Sequence, residues 1–125
     1  ILFLERICHF LRPKTGRAAV VVPDGILTNS SLQPVRDWLL AHFQLQAVVS
    51  LPAFAFAHYG AGVKASILFL RKLGKGETVD AQTPIFMALA VKIGYDATGR
   101  ATGNELPEIL KQYREFQKEP EPFFV

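Results

Sequence analysis

The sequence predicts an α/β fold: an open sheet of about four strands with helices on its faces. Three observations carry that expectation. Residues 17–22 (RAAVVV) and 45–51 (LQAVVSL) are short runs rich in β-branched residues and without polar alternation, as in strands covered on both faces. An amphipathic helical pattern lies between them. Two further apolar runs and a closing helix complete the order α-β-α-β-β-β-α, which suits an α/β layer better than a bundle or a sandwich.

Residues 1–12 have helical spacing, with Leu4, Ile7, Cys8 and Leu11 recurring three and four apart and Glu5, Arg6, His9 and Arg12 between them. Pro13 and Gly16 end that pattern. No capping residue precedes it, so the chain is expected to begin inside an element that starts upstream, as a fragment of a longer protein. After the strand at 17–22, Pro23-Asp24-Gly25 is a preferred turn sequence. Ser30 with Gln33 forms a capping box for the next helix, and Pro34 fits its first turn. Leu32, Val35, Leu39 and Phe43 make the apolar stripe, with Trp38 beside it. Strands on either side of this helix form a βαβ unit, whose crossover is right-handed as a rule.

The strand at 45–51 closes on Pro52, and a third strand spans 65–72. Residues 84–93 (PIFMALAVKI) are expected as a fourth, and 96–103 as a polar loop. Asn104 caps a last helix with Leu106, Ile109, Leu110, Tyr113 and Phe116 along one side. Residues 1–118 then form one domain, with 119–125, carrying two prolines, as an extended tail or linker.

Composition narrows the function. Half of the 125 residues are hydrophobic and 20% are charged, below the usual ~25%, so a packed core is expected and long disorder is not. A net charge of +3 permits an anionic partner without demanding one. The single Cys8 sits in a helical apolar pattern and is expected as a buried thiol. Neither a membrane-length apolar run nor a signal peptide is present, which leaves the cytoplasm as the expected compartment.

Sheets of this kind bind ligands outside the carboxyl ends of their parallel strands. Here those ends are Pro23-Asp24-Gly25 and the loop at 52–62. The second is unusual. Phe54, Phe56 and Tyr59 stand among alanines, and Gly60-Ala61-Gly62 leads into Val63-Lys64. Glycines let a backbone approach a ligand closely, and an aromatic ring offers a flat face on which a base can stack for ~1–3 kcal/mol. Burial in the core would stabilise such a ring by a similar amount. Asp24 could act as a base or bind a ligand, although a turn aspartate bonding its own backbone explains it on the residues alone. His9, His42 and His58 lack ligand-spaced partners, so no metal site is expected. Neither Gly60-x-Gly62 nor Gly74-x-Gly76 opens a helix after a strand, as a dinucleotide fingerprint requires.

Several spaced blocks agree in order with one family. Residues 16–27 (GRAAVVVPDGIL) followed by Asn29-Ser30-Ser31, then Val49-Ser50-Leu51-Pro52 with Phe56, Tyr59, Gly62-Val63-Lys64 and Ser66-Ile67-Leu68-Phe69, resemble the DNA adenine-N6 methyltransferase subunit of type I restriction–modification systems. So do Leu2-Phe3-Leu4-x-Arg6, Gly94-Tyr95-Asp96 and the run 104–109 (NELPEI).

The resemblance implies a partial Rossmann-like class I methyltransferase fold with a mixed sheet, S-adenosylmethionine as the cofactor of the full-length enzyme, and adenine taken out of the duplex for modification. The family's Asn-Pro-Pro-aromatic motif and its glycine-rich cofactor loop are absent from these residues. The chain is therefore expected to be the second half of a catalytic domain: no catalytic or cofactor-binding residues, inactive alone, and without bound cofactor. By resemblance, Phe56 foremost and Tyr59 would stack on the target base, Pro23 and Asp24 would line the same cleft, and Lys64 would meet a DNA phosphate. Implied partners are double-stranded DNA and the specificity and restriction subunits, with no membrane. Self-association through an exposed sheet edge is a further expectation. The alternative is a non-catalytic methyltransferase-like module that binds DNA or a partner subunit. An Asn-Pro-Pro-Phe or Asn-Pro-Pro-Tyr just upstream of Ile1 would separate the two.

Overall fold

The computed structural model describes residues 1–124. At its centre is a mixed sheet of four strands: β1 (Arg17–Pro23), β2 (Phe43–Ser50), β3 (Ala65–Lys72) and β4 (Phe86–Leu89). Their order is β1-β3-β2-β4. β3 is antiparallel to both β1 and β2, and β4 is parallel to β2. Strand count and mixed character match the expectation. A hairpin of β5 (Ile93–Tyr95) and β6 (Ala101–Asn104) forms a second, two-stranded sheet.

Alternation along β3 assigns its side chains to two layers. Leu68 and Leu70 point to one face, where they join Leu4 and Cys8 of α1 (Leu2–Phe10), Leu39 of α3 (Gln33–His42), and Val22 and Phe43. Burying each of Phe43, Leu68 and Leu70 contributes ~1.5–3 kcal/mol. Phe69 points to the other face, where Tyr113 of α4 (Leu106–Lys118) stacks on it with ring centroids 5.5 Å apart. Phe86 and Phe116 extend that layer, 5.4 Å apart. Cys8 is buried, in line with the helical pattern around it.

β1 and β2 are parallel to each other and joined through α3 (Gln33–His42), as the βαβ expectation has it, with β3 lying between them in the sheet. Four local expectations are corrected. β1 is not covered on both faces: it lies at the sheet edge, and Ala19 and Val21 are exposed while Val22 is buried. A run of three valines fits a central or an edge strand equally, and only the pairing decides. Pro23-Asp24-Gly25 is not a free turn: α2 (Asp24–Thr28) starts there, with the Thr28 hydroxyl donating to the Asp24 carbonyl. α3 has no side-chain cap: Asn29 caps the 3₁₀ turn Ser30–Leu32 before it, its Oδ1 accepting from the Ser31 amide, while the Gln33 side chain bonds Asp37 and Arg36 instead of closing a box. Finally, residues 84–93 are not one strand. β4 stops at Leu89, and Gly94 at φ 98° starts the hairpin, so part of the expected polar loop is β6.

Residues 119–124 are not simply extended either. Glu121–Phe123 forms a 3₁₀ turn that brings the Phe123 ring within 5.7 Å of Phe116 and 6.2 Å of Phe86. Val125, at the end of the expected tail, lies outside the described residues. Asn104, expected to cap the last helix, ends β6 one residue before the cap position, Glu105, and its Oδ1 accepts from the Leu106 amide.

Candidate functional site

Because β3 runs against β1 and β2, its first residues lie at their carboxyl ends. Pro23 pairs with Ala65, and Ser50 with Ser66. The Asp24 amide donates to the Lys64 carbonyl at 2.9 Å, and the Leu51 amide to the Ala65 carbonyl at 3.1 Å. The Pro23-Asp24 segment and the aromatic loop thus meet at one edge of the sheet, as the strand order requires.

Four polar side chains close the base of this edge. Asp24 Oδ1 accepts from the Ser66 hydroxyl at 2.8 Å, and Oδ2 from Lys64 Nζ at 3.1 Å. Lys64 Nζ also donates to Ser50 Oγ at 2.6 Å and, at 3.4 Å, to the Ala65 carbonyl. Ser66 is 2% exposed, whereas the Lys64 and Asp24 side chains keep about a third of their surface in solvent. Both carboxylate oxygens are engaged. A DNA phosphate would therefore compete with Asp24 for the Lys64 ammonium, the group expected to be free for it. Asp24 does not bond its own backbone as a turn aspartate would.

The aromatic loop is ordered by its own backbone. The Ala55 amide donates to the Pro52 carbonyl, the Ala57 amide to Phe54, and the Tyr59 and Ala61 amides both to Phe56. A 3₁₀ turn, Ala57–Tyr59, ends on Gly60 at φ 85°, a left-handed conformation that favours glycine. Phe54 and Phe56 are half-buried against Val49, Leu51, Ala55, Ala90 and Ile93. Tyr59 is 75% exposed, with the His58 ring edge-on to it at a centroid distance of 5.2 Å. The two expected stacking residues differ accordingly: Phe56 is half-buried against the core, and Tyr59 is largely open to solvent. Pro23 is exposed at the end of β1, paired with Ala65.

Ser50 and Ser66 are not among the residues the sequence assigns to this site. A serine inside an otherwise apolar strand, as in Ala65-Ser66-Ile67-Leu68, is the one signal that could have pointed to them. Among the described residues, no cluster of three His, Cys, Asp or Glu side chains could hold a metal, and no helix is long and apolar enough to cross a membrane.

With this geometry established, comparisons place the chain. Residues 1–123 match the family model described as N-6 DNA Methylase. The Type I restriction enzyme EcoEI methylase subunit of Escherichia coli is 40% identical over 72 residues, covering 57% of this chain and 14% of that protein. A solved structure assigned as the modification subunit of a type I restriction enzyme from Vibrio vulnificus YJ016 superposes with a TM-score of 0.68 at 31% identity, over 91% of this chain and 24% of that one. A class I S-adenosylmethionine-dependent methyltransferase structure from Listeria monocytogenes gives 0.64 at 21% identity, over 92% of this chain and 32% of that one, which shows the shared fold. The chain thus spans about a seventh of the curated relative's length. Its architecture is part of a class I methyltransferase fold, and the chain belongs to the N-6 DNA Methylase family.

Proposed function

We propose that this chain is the target-base side of the catalytic domain of a type I restriction–modification DNA adenine-N6 methyltransferase. The single observation that carries the proposal is the loop between β2 and β3. It carries the half-buried Phe56 ring and the open Tyr59 ring, and its far end, Lys64 and Ala65, bonds Asp24 and pairs with Pro23 at the strand ends where class I folds bind ligands. A base extruded from DNA needs an aromatic face to replace the stacking it loses, and a rigid ring does so with little ordering cost.

In this account Phe56 and Tyr59 face the adenine and Pro23 lines the cleft. Asp24 acts through its carboxylate contacts to hold β1 and the loop together. Lys64 is the cation at this edge for a DNA phosphate, and engaging one competes with its ion pair to Asp24. No residue of the chain is assigned a chemical step.

S-adenosylmethionine supplies the methyl group in this family. The residues of this chain do not by themselves fit it. Asp24, the acidic group at the strand ends, has both oxygens occupied, and the glycines at 60–62 and 74–76 follow a 3₁₀ turn and a strand without opening a helix. The cofactor therefore binds to other parts of the methyltransferase, and this chain alone transfers no methyl group. Double-stranded DNA and the specificity and restriction subunits are the partners this role implies, in the cytoplasm. The β1 edge, paired only with β3, is a second contact surface, where another strand or another copy of the chain can add.

The test is substitution in the full-length methyltransferase. Phe56→Ala is expected to depress methylation of target DNA while S-adenosylmethionine affinity stays near wild type.

A further inference from the structure

The Gly94-Tyr95-Asp96 segment has no part in the base-side role described so far, yet it reaches the same loop. The Tyr95 hydroxyl, carried on β5, donates to the Ala55 carbonyl at 2.6 Å across forty positions of sequence. Ala55 is 2% exposed and directly precedes Phe56. At the other end of the hairpin turn, Gly99 lies so close to the loop that a Cβ there would stand 2.7 Å from the His58 ring. Its φ of 88° also suits glycine. The hairpin therefore touches the aromatic loop on both sides of Phe56, once by a hydrogen bond and once by a close backbone approach.

The turn that presents Gly99 is itself rigid. Asp96 Oδ1 accepts from the Thr98 amide at 2.9 Å, the Thr98 hydroxyl at 2.7 Å and the Arg100 amide at 3.0 Å. The Asp96 amide donates to the Arg100 carbonyl, and the Gly99 amide to the Asp96 carbonyl. A carboxylate with three donors fixes a turn far better than a backbone bond alone. At the base of the hairpin, Gly94 lies against the Asn104 side chain that bonds the Leu106 amide at the start of α4, which anchors the unit to the body of the protein.

We propose that the β5–β6 hairpin is a brace for the aromatic loop, and that Tyr95 and Gly99 are positioning residues that set the Phe56 ring for the target base. Neither touches the base. Tyr95 holds the backbone entering Phe56, and Gly99 gives His58 the space that fixes the turn leaving it. The inference rests on the base-stacking role of the loop for its functional consequence, but not for the brace itself.

The test uses the intact methyltransferase carrying Tyr95→Phe, which removes one hydroxyl and keeps the ring, with Gly99→Ala as a second variant. Two measurements are made. Hydrogen exchange at the Ala57, Tyr59 and Ala61 amides is expected to accelerate ~5–10-fold in Tyr95→Phe, the loss of one hydrogen bond, with exchange in β2 and β3 unchanged. Methylation of target DNA is expected to fall by a similar factor, with no further loss when Tyr95→Phe is added to Phe56→Ala, because residues acting through one contact are not additive. Unchanged loop exchange in both Tyr95→Phe and Gly99→Ala overturns the brace. So does a fully additive double variant, which would show Tyr95 acting elsewhere. If Phe56→Ala itself leaves methylation intact, the base-stacking role fails, while the exchange measurement still decides the brace.

Discussion

Lys64 Nζ lies 3.1 Å from Asp24 Oδ2, forty residues away, and this pair locks the mouth of the aromatic loop to the start of α2. The contact exists because β3 runs back between β1 and β2. Its first residue pairs with the last residue of β1, so Lys64 arrives beside Asp24. Ser66 completes the lock from inside the sheet.

Removing Asp24 leaves the buried Ser66 hydroxyl without its acceptor and takes the carboxylate from the Lys64 ammonium, which keeps Ser50 Oγ. Asp24→Ala is expected to lower unfolding free energy by ~1–3 kcal/mol, the cost of orphaned partners. Lys64→Met, which removes only the more solvated end, is expected to cost less than ~1 kcal/mol. Urea unfolding of the purified chain gives both values, and equal losses would contradict the geometry.

The same pair predicts a salt signature. If Lys64 stays with Asp24 when DNA binds, Lys64→Gln leaves the slope of log affinity against log salt unchanged. A phosphate contact made by Lys64 would instead reduce that slope by ~0.9. DNA titration by the full-length enzyme at several salt concentrations separates the two.

Glu77 gives a pH prediction. A hydrogen bond from the Arg71 side chain, first, and the Gly74 amide, second, hold its carboxyl down to about 2 from an ordinary value of 4.5. A depressed carboxyl stabilises the fold fully above its unfolded value and loses that contribution as pH falls through the folded one. Stability should therefore fall as pH drops from 4.5 to about 2. Glu77→Gln should flatten that part of the profile, as read from denaturant midpoints across the range.

The 3₁₀ turn after α4 also has a measurable role. Phe86 meets Tyr113, Phe116 and Phe123 within 6.2 Å, so four rings from three segments share one cluster. Phe86→Ala is expected to destabilise by ~3–5 kcal/mol, and Phe123→Ala by less, since its ring is only half-buried. Thermal unfolding ranks the two.

Much of this architecture was legible in the sequence, and the gaps have physical causes. The helical stripes of α1, α3 and α4 and the apolar runs of β2 and β3 are local patterns, so period and composition suffice to find them. Pairing is not local. Nothing in Ala19-Val20-Val21 says that one face lies open at a sheet edge, and nothing in Ile93-Gly94-Tyr95 says that the chain leaves the main sheet to form a hairpin. The aromatic loop stood out by composition alone. Two of its supports, Ser66 and Tyr95, did not, and Lys64 stood out without its Asp24 partner, because each reaches the site through a partner 40 or more positions away. Only the resemblance ranked Phe56 ahead of Tyr59 in the sequence. Packing separates them, with one ring braced from behind and the other open to solvent.

The most direct test of the base-side role measures DNA methylation and S-adenosylmethionine binding in parallel, in the full-length methyltransferase carrying Phe56→Ala, Tyr59→Ala or both. Loss of a stacked base at ~1–3 kcal/mol predicts methylation reduced ~5–150-fold in Phe56→Ala, more in the double variant, with cofactor affinity unchanged. Methylation at the wild-type rate in the double variant would contradict the account.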